Sequence, residues 1–94
     1  MKVNQEIVRK AINHFGALNQ KIKACEELSE LVVAITKDIV NPKKTKEDII
    51  TEIADVYIML KQLFIIYDIP DILVKDEIDF KLTRLRAGLK GGVK

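Results

Sequence analysis

The sequence predicts an all-α chain folded as an antiparallel bundle of about four helices. Three observations predict it. Apolar residues recur at steps of three and four along most of the chain, which places them on one face of a helical period. No segment shows sustained period-two alternation between turn signals. Breakers are few: Gly16, Pro42, Pro70 and the closing Gly88, Gly91 and Gly92 divide the chain into four pieces. Their connections are short, and short connections between helices favour antiparallel neighbours.

The first piece spans about residues 4–15, with Ile7, Ala11, Ile12 and Phe15 at helical spacing. The second spans about residues 18–40. Its stripe is Leu18, Ile22, Cys25, Leu28, Val32, Ile35 and Ile39. Asn41-Pro42 ends it, because the residue before a proline avoids the helical region. Thr45 is the expected N-cap of the third piece, and Glu47 and Asp48 suit the positive end of a helix. That helix should reach about Tyr67, before the break at Asp68-Ile69-Pro70. The fourth runs from about Asp71 to Leu85 or slightly beyond, with Ile72, Val74, Ile78, Leu82 and Leu85 on its apolar side. Residues 88–94 read as a frayed tail.

Ninety-four residues make a single domain, residues 1–94, with a limited core. Yet 48% of them are hydrophobic and mostly aliphatic, more than one short bundle covers, which points to an oligomer. The net charge of +2 lacks the basic excess of a dedicated nucleic-acid binder. The only cysteine, Cys25, rules out an internal disulfide and fits a reducing cytoplasm. The N-terminus lacks the apolar core of a signal peptide, and Asp55, Lys61 and Gln62 break up the most apolar stretch, residues 53–66, so no membrane span is expected. The expected location is the cytoplasm.

Chemistry concentrates in Glu26, Glu27 and Glu30, then Glu52 and Asp55. Positions three apart share a helix face, so Glu27 and Glu30 project together, as do Glu52 and Asp55. Twenty-one residues separate Glu30 from Glu52, enough to finish one helix, turn, and bring the next back antiparallel. The two pairs can then face each other. Asp55 sits among Ile53, Ala54, Val56, Tyr57, Ile58 and Met59, so its helix should be buried around most of its circumference. Partly desolvated, mutually repelling carboxylates have raised pKa values. A hard divalent cation relieves both costs, and Mg²⁺ takes oxygen ligands. Redox metals and zinc are disfavoured, because the only histidine is His14 and the only thiol Cys25. The bland alternative is a solvated EELSEL face, with Glu52 and Asp55 paired to lysines. It accounts for Glu26 as well as function does, and for Glu52 and Asp55 less well.

Glu26-Glu27-Leu-Ser-Glu30 followed by Glu52-Ile-Ala-Asp55 resembles the EExxE…ExxD signature of the MazG-like all-α NTP pyrophosphohydrolases. The surrounding text, "HFGALNQKIK", "CEELSELVVAITK", "IITEIADVYIML" and "KLTRLRAG", is similar to that family from about His14 to Arg86. The resemblance implies hydrolysis of an NTP or dNTP to the monophosphate and pyrophosphate. It implies that Glu27, Glu30, Glu52 and Asp55 bind Mg²⁺, with Mn²⁺ as a substitute, and that Glu26 orients or deprotonates the attacking water. It also implies active helices packed across a dimer or tetramer.

Lys81, Arg84 and Arg86 are candidates for the substrate phosphates, since Arg forks suit phosphate geometry. A basic turn complementing the helix dipole explains them equally well. Lys43, Lys44 and Lys46 read as a solvated loop. His14, Phe15, Asn19 and Gln20 are the candidate nucleobase contacts, with Phe15 to stack and Asn19 or Gln20 to hydrogen-bond. The alternative, slightly preferred, is that Phe15 is core and His14 surface. Phosphoribosyl-ATP pyrophosphohydrolase shares the acid pattern but typically carries a Tyr-His pair soon after the aspartate, where this chain has Val-Tyr-Ile-Met. It stands as the runner-up, followed by a non-catalytic helical oligomerisation module and then a nucleic-acid binder acting through the basic tail.

Overall fold

The computed structural model describes residues 2–42 and 46–91. These form an all-α bundle of α1 (Gln5–Phe15), α2 (Ala17–Val40), α3 (Lys46–Ile66) and α4 (Asp71–Gly91), with no strand among the described residues. Thr45, Lys43 and Lys44 lie outside the described residues, so the expected cap and part of the expected loop do too. Lys46 opens α3 instead of belonging to that loop.

Each boundary has a local cause. Asn4 caps α1, its side chain accepting from the Ile7 N–H at 3.0 Å. Gly16 separates α1 from α2 at φ 91°, a conformation that costs glycine least, while its N–H closes the last turn on the Ile12 carbonyl at 2.8 Å. Asn41-Pro42 ends α2 as expected. At the end of α3, Asp68 takes the left-handed φ of 53°. Its N–H reaches the Ile65 carbonyl and the Ile69 N–H reaches that of Phe64, the paired bonds of a Schellman cap. Pro70 then restarts the chain into α4.

α4 runs to Gly91, so Gly88 and Gly91 lie inside the helix rather than in a frayed tail; residues 92–94 lie outside the described residues. Intrahelical pairs support α4 on its polar side, Lys75 with Asp79 at 2.9 Å and Lys81 with Glu77 at 3.8 Å.

α2 and α3 make the main packing, and α1 lies against both. Gln20 meets Gln62, Glu27 neighbours Asp55 and Glu30 neighbours Glu52. Each step forward on α2 therefore matches an equal step back on α3, the register of an antiparallel pair.

The core is small: among the described residues only Val8, Ala24 and Met59 are buried apolar side chains, beside buried Gln20, Glu27 and Gln62. The apolar stripe of α2, from Leu18 to Ile39, faces outward; Leu18 is 70% and Ile39 72% exposed. The face turned to α3 is instead Gln20, Ala24, Glu27, Leu31, Ala34 and Asp38, also at steps of three and four. α3 likewise buries one face only, leaving Ile50, Ile53 and Ile58 exposed, because no element among the described residues covers its other side. No residue of α4 is buried.

Candidate metal centre

Three carboxylates converge between α2 and α3. Glu27, Glu52 and Asp55 each offer an oxygen within 4.8 Å of the others. The antiparallel register causes this: Glu27 opposes the turn of α3 that carries Glu52 and Asp55 on one face. Glu27 is buried, 6% exposed, and the other two are half-buried. Glu30, one turn beyond Glu27, is exposed but borders Glu52 closely enough to act on it by charge and hydrogen bonding. The expected quartet is thus brought together as a tight trio with Glu30 at its rim.

The electrostatics are those of crowded acids. Burial, then the charge and hydrogen bond of Glu30, then Asp55 and Glu27, push the Glu52 carboxyl up from its ordinary range. Burial, then the hydrogen bond and charge of Glu27, then Glu30, push Asp55 up as well, with Lys23 opposing. Two oxygens, Glu27 Oε2 and Glu52 Oε2, are buried without a hydrogen-bond partner. Native interiors rarely leave such groups unpaired. A hard cation would satisfy both at once, and an all-oxygen donor set suits Mg²⁺, Mn²⁺ or Ca²⁺. The residues present therefore fit a divalent cation.

The other candidates are dispersed. Glu26 is exposed, with Lys23 Nζ at 3.9 Å, beside the trio rather than within it. Gln20 is buried and donates to Gln62 Oε1 at 2.7 Å, which commits it to the core instead of an open base pocket. Asn19 Nδ2 donates to the Phe15 carbonyl at 2.8 Å. Phe15 is 55% exposed, not core, and His14 meets it edge-to-face at 4.6 Å between ring centroids. Lys81, Arg84 and Arg86 all lie on α4. The main packing of the bundle leaves α4 out, and Arg84 lies 6.0 Å over the Phe80 ring of its own helix.

Two features escaped the sequence reading. Lys23 contacts Glu27 Oε1 at 3.2 Å; its spacing four residues before Glu27 was the available signal. An open groove of about 380 Å³ adjoins the trio, lined by Glu30, Glu52, Ser29, Lys37, Asp48 and Thr51 among others. Its α3 residues are Glu52 itself, Thr51 beside it and Asp48 one turn before, brought to the α2 residues by the helix pairing.

Compared with known protein families, characterised proteins and solved structures, the chain matches none.

Proposed function

We propose that this protein is a Mg²⁺-dependent nucleoside triphosphate pyrophosphohydrolase that releases the monophosphate and pyrophosphate. The observation that carries the reading is the pair of buried, unpartnered oxygens, Glu27 Oε2 and Glu52 Oε2, within a carboxylate trio. The EExxE…ExxD resemblance supports the reaction class. Glu27, Glu52 and Asp55 would hold the cation from inside the helix pair, and Glu30 would close the set from the rim. When bound, Mg²⁺ supplies positive charge for the phosphate oxygens and acidifies water. Glu26, exposed beside the trio, would orient the attacking water and accept its proton. The groove between Glu30 and Thr51 admits the substrate. Lys81, Arg84 and Arg86 serve the phosphates of a neighbouring copy, since α4 stands away from its own chain's carboxylates. The functional unit is therefore a homo-oligomer.

The test is a pyrophosphate-release assay with Mg²⁺ across all ribo- and deoxyribonucleoside triphosphates, run beside Glu52→Ala and Asp55→Ala. Turnover by the parent, lost in both variants, supports the reading. No turnover, with no Mg²⁺-dependent thermal stabilisation, sinks it.

The outward apolar stripes of α2 and α4 favour one second reading, an oligomerisation module without catalysis. On that reading Glu52→Ala and Asp55→Ala stabilise the fold by removing repulsion, and Mg²⁺ changes nothing.

A further inference from the structure

Among the described residues, Lys23 is a cation in direct contact with the carboxylate trio. Its Nζ lies 3.2 Å from Glu27 Oε1 and 3.9 Å from Glu26 Oε2. Residues four apart meet on one helix face, which brings the ammonium to the carboxylate. The two ends of this ion pair differ sharply in environment. The Glu27 side chain is 8% exposed, whereas that of Lys23 is 53% exposed, leaving its stem free to swing. Lysine suits such a movement, being a compact charge with rotatable donors on a flexible chain. Lys23 also satisfies one Glu27 oxygen while the other, Oε2, has no partner. One Glu27 oxygen is thus met from outside, while Glu27 Oε2 and Glu52 Oε2 inside are not.

A divalent cation entering among Glu27, Glu52 and Asp55 would meet the Lys23 ammonium across a single carboxylate. Like charges so close repel, so the cation and the ammonium compete for Glu27. Moving away, the ammonium stays one helical turn from Glu27, on the side of the trio opposite the groove of Glu30 and Thr51, where phosphates reaching across the cation would meet it.

We propose that Lys23 is a charge-exchanging residue of this site: it neutralises Glu27 while the site holds no cation, and turns to substrate phosphate once a cation has displaced it. The second half rests on the pyrophosphohydrolase reading; the first does not.

The experiment has two arms. In the first, Mn²⁺ alone is titrated into the full chain and into Lys23→Gln and Lys23→Arg, followed by calorimetry and by the Mn²⁺ electron paramagnetic resonance signal. Circular dichroism melts check the fold of each variant. Lys23→Gln should bind Mn²⁺ on the order of ten-fold more tightly, as a divalent and a monovalent charge about 5 Å apart imply under water-like screening. Lys23→Arg, which keeps the charge, should stay within about two-fold of the parent.

In the second arm, inorganic triphosphate is titrated at saturating Mn²⁺. Lys23→Gln should then bind it about ten-fold more weakly, the loss of one charge-assisted hydrogen bond, while Lys23→Arg retains affinity. Mn²⁺ binding by the parent without tightening in Lys23→Gln overturns the exchange. Unchanged triphosphate affinity in Lys23→Gln overturns the phosphate role. Absence of Mn²⁺ binding by the parent overturns the metal centre and with it this proposal, whereas the two preceding outcomes overturn the proposal and leave the metal centre standing.

Discussion

The single chain exposes too much surface for its mass. A folded monomer of 10.7 kDa presents about 5,500 Å² to solvent, and this chain presents 7724 Å². The radius of gyration agrees, at 16.3 Å against about 13 Å for a compact domain of this length. The surplus, about 2,200 Å² per chain, would make a two-fold interface of about 4,400 Å² in total, in the range of obligate homodimers. The perturbation that tests this is Leu82→Glu with Leu85→Glu. Val74, Ile78, Leu82, Leu85 and Leu89 follow one another at steps of four and three along α4, the last four of them about half exposed or more. Burying a leucine contributes about 2 kcal/mol. Four such leucines across a two-fold interface come to about 8 kcal/mol, or some six decades in Kd. Sedimentation equilibrium from about 0.1 to 100 µM reads the outcome. The parent should hold at least twice the mass of the chain throughout, and the double variant should be monomeric. A monomeric parent at all concentrations, or an intact oligomer in the double variant, would refute the reasoning.

The carboxylates give further predictions. Asp55→Asn should raise metal-free thermal stability, because Glu27 and Glu30 repel the charge it removes, and should abolish the melting shift produced by Mg²⁺; a lowered metal-free Tm counts against the crowding argument. The pH dependence follows from the raised Glu52 and Asp55 groups. The folded state holds their protons longer than the unfolded one, so their contribution is full below the ordinary values of 4.5 and 3.8 and is lost as pH rises through the raised ones. In chelator, urea midpoints should therefore fall from about pH 4 towards neutrality, and saturating Mg²⁺ should restore the loss; a midpoint rising over that window contradicts the assignment. Gln62→Leu should cost about 1–3 kcal/mol by stranding the buried Gln20 amide, whereas Gln20→Leu with Gln62→Leu should be near neutral, both read from urea unfolding.

Much of the fold was legible from its punctuation. Gly16, Asn41-Pro42 and Pro70 mark real boundaries, and the i, i+3 acid pairs meet where an antiparallel turn would bring them. What could not be read was which stripe of α2 faces inward. Periodicity ranks faces by apolar content, and by that measure the stripe from Leu18 to Ile39 wins. The helix pairing turns Gln20, Ala24 and Glu27 to α3 instead, since it places the glutamates opposite Glu52 and Asp55 and the glutamine opposite Gln62. Gly88 misled for a related reason: a glycine signals a helix end only weakly, and Leu85, Leu89 and Lys90 carry α4 past it.

The misreading of α2 links the site to the assembly. A helix pair that encloses one buried and two half-buried carboxylates and two buried amides forgoes the apolar contacts that normally hold such a pair together. Alone, crowded acids with raised pKa values destabilise the chain, and only three buried apolar side chains among the described residues offset them. The displaced aliphatic surface lies on the outer faces of α2 and α3 and along α4, where association can bury it. Cation binding and association would thus act on the same deficit from opposite sides of the α2–α3 pair, the cation by neutralising the inner stripe and a second copy by covering the outer one. Since both favour the folded chain, the two should be thermodynamically coupled. In chelator the parent should dissociate at a higher concentration than in saturating Mg²⁺, and Asp55→Asn should remove that difference. Equal dissociation constants with and without Mg²⁺, in a parent that binds the ion, would mean that the two stripes act independently.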